Sequence, residues 1–246
     1  MIAAINYEKS MNGGGSGSQL LKCDDGNYYV VKLIGNNQGD HVLANEMVSY
    51  YLCRILGVPV PACEIIQVPS ELTDIINGKR GTNFKSGPAF GSYYINQKHK
   101  IVVPALNSTL VKKTRNVNKW VGAVLLDTIV QNEDRKGEHV LVGTEPDQST
   151  VFYLIDHGHT LGVTRGWNSL NPGAIKVRNL YSDVQIDENE KNNLKNILNG
   201  TDIKLLIQNV MRIPLRDWGI AEEEVFALER YIEGAIQKAI ELLLSN

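Results

Sequence analysis

The chain has 246 residues, 43% hydrophobic and 21% charged, the balance of an ordinary globular protein, and length enough to bury a core as one domain or two lobes. A formal net charge of −2 with a pI near 6.2 gives no general attraction to nucleic acid or to an anionic membrane. Three cysteines without Cys-x-x-Cys spacing (Cys23, Cys53, Cys63) argue against a disulfide framework or zinc site and for a reducing cytoplasm, while no stretch approaches the roughly 20 apolar residues of a membrane span.

In chain order, residues 13–18 read Gly-Gly-Gly-Ser-Gly-Ser. Such a run is equally a flexible linker. Its position, directly before a hairpin pattern and 17 residues upstream of a strand lysine (32 − 15), supports a phosphate-facing loop. Glycine lets backbone amides approach phosphate oxygens, so Gly15 and Gly17, with hydroxyl donors from Ser16 and Ser18, are candidate nucleotide contacts. The hairpin is Gln19 to Cys23, an Asp24-Asp-Gly-Asn27 turn, then Tyr28 to Ile34. Lys32 ends a Tyr-Val-Val-Lys run; the bland reading is a surface lysine, the chemical one a cation bridging nucleotide phosphates. Residues 42–56 carry apolar groups at helical spacing and should stop at Gly57, ahead of Pro59 and Pro61. Glu46 lies in that helix, where a glutamate orienting the strand lysine belongs. Further strands are expected at residues 64–68 and 89–95.

From about residue 116 the pattern becomes mainly helical, with an apolar stripe of Trp120, Val121, Val124, Leu125 and Ile129. Asp134 follows in Gln131-Asn-Glu-Asp-Arg135, and Asp156 lies 22 positions on (156 − 134), at the end of Val151-Phe-Tyr-Leu-Ile. A loop carboxylate after a helix, then a second at a strand end beside a glycine, is how phosphotransferases place an acceptor-orienting base near a metal ligand. Burying a carboxylate behind an apolar strand is costly unless it is paired or metal-bound. A zinc reading of His139, His157 and His159 with Asp156 ranks lower, because no His-Glu-x-x-His pattern exists. Helices should resume at residues 188–198, 202–211 and 221–244.

Taken together, Gly13 to Ser18, Asp25 to Lys32, Asn45-Glu46, Leu56 to Pro61, Gln131 to Arg135 and Leu154 to Gly158 resemble the HipA-like kinase family, within the wider protein-kinase and lipid-kinase fold. The resemblance implies an α+β bilobal protein-kinase-like fold, with a β-rich N-terminal lobe over 1–92 and a mainly helical C-terminal lobe over 93–246. It implies ATP and Mg²⁺ between the lobes and transfer to a Ser or Thr hydroxyl of a protein. On its terms the glycine loop covers phosphates, Lys32 contacts them, Asp134 is the catalytic aspartate and Asp156 the metal-binding one. Phe90 to Ser92 would be the hinge touching adenine. One departure stands out: the metal-binding asparagine usual five residues after the catalytic aspartate is here His139, a poorer Mg²⁺ ligand that favours Mn²⁺ unless Glu138 or Asn132 compensates. Toxins of that family are considerably longer, so a toxin role and a complex with antitoxin and DNA are not carried over. The expectation is a cytoplasmic, ATP-dependent kinase with an unidentified protein or small-molecule acceptor and no nucleic-acid or membrane partner. Its alternatives are a weak or inactive ATP-binding scaffold and a kinase-like enzyme that phosphorylates a small molecule or transfers AMP.

Overall fold

A computed structural model describes residues 1–11, 17–39 and 41–244. Five strands close into a barrel in the order β1-β2-β3-β5-β4: β1 (Ile2–Ser10), β2 (Gln19–Cys23), β3 (Tyr28–Ile34), β4 (Cys63–Val68) and β5 (Lys85–Tyr93). The β2–β3 hairpin forms where the Asp-Gly signal put it. Gly26 takes the left-handed conformation (φ 83°), and the Asp25 carboxylate accepts the Asn27 N–H at 3.0 Å. Closure comes from β1 lying parallel to β4, Ile2 opposite Ile66. The sequence reading did not anticipate β1, whose burial is irregular along the strand, nor the helix α2 (Ser70–Arg80), which buries only Leu72, Thr73 and Ile76.

Helix α1 (His41–Leu56) ends as expected, with Gly57 left-handed (φ 62°) and Val58 N–H returning to the Cys53 carbonyl at 2.9 Å. Although it lies between barrel strands in sequence, its apolar face (Val42, Leu43, Val48, Leu52, Leu56) joins the core of the second half rather than the barrel's. Each fully buried aliphatic side chain there contributes roughly 1.5–3 kcal/mol, so α1 ties the two halves together.

The remainder contains α3 (Ser108–Lys112), α4 (Trp120–Ile129), α5 (Glu188–Asn199), α6 (Ile203–Val210) and α7 (Glu222–Ala239), the last continued by a π-helical turn, Ile240–Leu244. Alongside stands an antiparallel sheet, β6 (Val102–Pro104), β7 (Val140–Thr144) and β8 (Thr150–Leu154). Only β8 was expected; β6 has three residues, and β7 (Val-Leu-Val-Gly-Thr), though as long as β8, shows no apolar–polar alternation and contains a glycine. Helix α4 is buried on every side, not along one stripe. No helix among the described residues is long and apolar enough to cross a membrane.

Candidate functional site

A cavity of about 570 Å³ opens between the barrel and the β6–β7–β8 sheet, within the size range of small-molecule sites. Its walls include Ser18, Lys32, Glu46, Phe90, Glu138, His139 and Asp156. Lys32 is not a strand-end surface lysine: it sits within β3 opposite Phe90, 5% exposed. Its ammonium donates to Glu46 Oε1 at 2.5 Å and to Asp156 Oδ1 at 2.7 Å, joining β3, α1 and the segment after β8. Burial alone would push the lysine pKa down; Glu46 and Asp156 outweigh it and hold the pKa above its ordinary value. Burial likewise opposes both carboxylates, and Lys32 holds each below its ordinary value, Asp156 far below. Three charges are therefore fixed on one wall of the cavity.

Two backbone features keep Asp156 there. Its φ is 59°, a left-handed conformation costly for a residue with a Cβ and held only where the surroundings over-determine it. Then Gly158 passes so close to α1 that a Cβ would lie 2.6 Å from Val42 Cγ1 and 3.2 Å from Lys32 Nζ. The His157 N–H donates to Glu46 Oε2 at 3.0 Å, so the Asp-His-Gly turn and the α1 glutamate hold one another.

The loop after α4 carries Asp134, half-exposed and off the cavity wall, with Oδ1 accepting from Lys136 Nζ at 2.9 Å. Behind it is a buried pair the sequence reading missed. Arg135 binds Asp127 of α4 through two parallel hydrogen bonds, Nε to Oδ2 and Nη2 to Oδ1, both 2.9 Å. Burial opposes the Arg135 charge, but Asp127 more than offsets it, raising its pKa. The available signal was a lone carboxylate inside a ten-residue apolar helix, eight positions before an arginine (135 − 127).

His139 lines the cavity, with Nε2 3.8 Å from Asp156 Oδ2. Burial sets its pKa below the ordinary value, which favours the neutral imidazole, and its Nδ1 is buried without a hydrogen-bond partner. Of the two residues expected to compensate for it, Asn132 is already committed: Nδ2 donates to Asp127 and Oδ1 accepts the Asp134 N–H. Glu138 is exposed and on the cavity wall.

A divalent cation fits these residues in one way. Lys32 occupies Asp156 Oδ1, whereas Oδ2 faces His139. No three His, Cys, Asp or Glu side chains converge among the described residues, so a zinc site with protein ligands alone is not formed. Mg²⁺ is commonly held by one or two carboxylates with phosphate oxygens and water completing its shell. A single carboxylate suits a cation that arrives with its nucleotide.

Of the other expected contacts, Gly15 and Ser16 lie outside the described residues. Gly17 is left-handed (φ 60°), packs against Phe84 and accepts from the Gln19 side chain. Phe90 and Ser92 line the cavity, but the chain leaves the barrel farther on, through Tyr93 to Asn96, which line it too. Trp167 is a packing anchor: wholly buried, it donates from Nε1 to Asn45 Oδ1 at 2.8 Å. Asn45 in turn donates to the Gly158 and Thr160 carbonyls, so the segment after Asp156 is pinned to α1.

The family profile for HipA-like kinase matches residues 5–231. The chain belongs to the HipA-like kinase family. Among solved structures, a Helicobacter pylori proinflammatory kinase, CtkA, superimposes with a TM-score of 0.59 at 13% identity, covering 98% of this chain and 97% of that one. The Golgi casein kinase, crystallised with Mn/ADP bound, gives a TM-score of 0.57 at 14% identity over 100% of this chain and 74% of its own. At such identities the likeness speaks for the fold. No curated protein matches the HipA-like chain in sequence.

Proposed function

We propose that the chain is an ATP-dependent phosphotransferase with two lobes, barrel and helical, and metal-bound ATP in the cavity between them, acting on a Ser or Thr hydroxyl of a protein. The observation that carries this reading is the buried Lys32–Glu46–Asp156 system on the cavity wall, within a chain of the HipA-like kinase family. Phosphoryl transfer asks the protein mainly for positioning and charge compensation. Lys32, held by Glu46, supplies a fixed cation for phosphate oxygens. Asp156, through Oδ2, would hold the cation, which neutralises charge on the phosphates when bound. Asp134 would orient the acceptor hydroxyl and take its proton late in transfer. Ser18, Phe90 and Ser92 would contact the nucleotide, joined by Gly15, Ser16 and Gly17 of the glycine loop. With His139 in place of an oxygen ligand, Mn²⁺ would be favoured over Mg²⁺, since imidazole suits later first-row metals better.

A second reading, a nucleotide-binding scaffold with little turnover, is favoured by that same histidine together with the committed Asn132 side chain. Labelled ATP, with Mn²⁺ or Mg²⁺ and dephosphorylated casein as acceptor, separates the two. The kinase reading expects transfer by the wild type and a loss of about 10²–10⁴-fold in Asp134→Ala. Equal incorporation by both proteins would overturn the role of Asp134. Stabilisation by ATP with no transfer would favour the scaffold.

A further inference from the structure

The Arg135–Asp127 pair does more than fill the space behind the loop, and what it does rests on the phosphotransfer reading above. While Nε and Nη2 grip Asp127, the third nitrogen, Nη1, donates to the Ile155 carbonyl at 2.7 Å and more weakly to the His139 carbonyl at 3.4 Å. One guanidinium thus binds α4, the residue before β7 and the residue after β8. Each aspartate is one residue from this contact: Asp134 immediately precedes Arg135, and Asp156 immediately follows Ile155. A second link runs through Asn132, which donates to Asp127 Oδ1 at 3.0 Å and accepts the Asp134 N–H at 3.1 Å. Residue Ile155 is also held through its N–H, which donates to the His139 carbonyl at 2.9 Å. The Ile155 carbonyl, bound by Arg135, adjoins the left-handed Asp156, a conformation held by its surroundings.

We propose that Arg135, anchored on Asp127, is a positioning residue that sets the spacing between the acceptor-orienting Asp134 and the metal-holding Asp156. The fork is required, not the charge: lysine is a point cation and cannot bind both Asp127 oxygens and a carbonyl in one plane. Asp127 grips Arg135 directly and reaches Asp134 through Asn132, so the substitutions at 127 and 135 disturb one connected device and do not add.

The test compares the wild type with Arg135→Lys, Asp127→Asn and the double variant, reading the turnover rate at saturating Mn·ATP with dephosphorylated casein, the affinity for Mn·ATP by calorimetry, and the melting temperature. Arg135→Lys keeps a cation beside Asp127 and so serves as the folded comparison should Asp127→Asn, which leaves a buried guanidinium unpaired, prove unstable. A displacement on the order of 1 Å costs about 100-fold in rate. Each single variant is therefore expected to lose about that much turnover with Mn·ATP affinity within a few-fold of wild type, and the double variant to be no worse than the weaker single. A lower melting temperature with turnover intact would reduce the pair to a structural role and overturn the proposal. Loss seen wholly as weaker nucleotide binding, or singles that multiply in the double, would overturn it too. A wild type that binds Mn·ATP but transfers nothing would bring down the phosphotransfer reading itself, and the positioning role with it.

Discussion

Lys32→Met is expected to lower folding stability by about 3–5 kcal/mol near pH 7, the usual cost of removing one partner from a buried ion pair. Glu46, 3% exposed, and Asp156 would then face each other with no cation between them. The pH dependence should reverse as well. In the wild type both carboxylates are held below their ordinary range by Lys32. Their contribution is thus full above the unfolded values of about 4 and fades as pH falls through the lowered folded ones. Lys32, held above its ordinary value, contributes fully below about pH 10 and fades as pH rises through its folded value. Without the lysine, burial and mutual repulsion raise the folded carboxylate values above the unfolded ones, so protonation favours the fold. The stability gap between wild type and variant should therefore narrow from pH 8 to pH 5. Urea midpoints at the two values measure it; a gap below about 1 kcal/mol at pH 7, or one independent of pH, would contradict the assignment of Lys32 as the hub of the site.

The second large effect is expected at Trp167, which does not line the cavity. Trp167→Ala should cost about 3–5 kcal/mol through the cavity left by a wholly buried indole, with a further loss because the Asn45 carbonyl oxygen would be stranded. Trp167→Phe keeps most of the packing but removes the N–H donor, and should cost about 1–3 kcal/mol. Asn45 also holds the Gly158 and Thr160 carbonyls, so both variants should speed proteolysis in the segment after Asp156. Denaturant unfolding with limited digestion reads both effects; wild-type stability in Trp167→Ala would refute the anchor.

The sequence showed the parts of the site that obey local rules. The Asp-Gly turn, the glycine stop of α1 and the apolar run ahead of Asp156 each have a local physical cause and appear where those causes act. The order lysine, glutamate, aspartate then sufficed to bring three distant residues together. What stayed hidden depends on tertiary contacts. β1 is closed into the barrel by pairing with β4, 64 positions away (66 − 2), and its own pattern is irregular. Asp127 is a lone charge in an apolar helix, and its partner Arg135 lies beyond the helix end and folds back on it. Trp167 lies in a stretch without periodic pattern, and only the fold shows its indole buried and hydrogen-bonded to Asn45. Asn132, considered as a substitute metal ligand, has both ends of its amide occupied in the loop.

The most direct test of the site is a crystal structure with Mn²⁺ and a non-hydrolysable ATP analogue, with the metal located by anomalous scattering. The metal is expected at a coordination distance of roughly 2.0–2.6 Å from an Asp156 carboxylate oxygen, with nucleotide phosphates against Lys32 and the base near Phe90 to Asn96. A nucleotide bound outside this cavity, or a metal held away from Asp156, would contradict it.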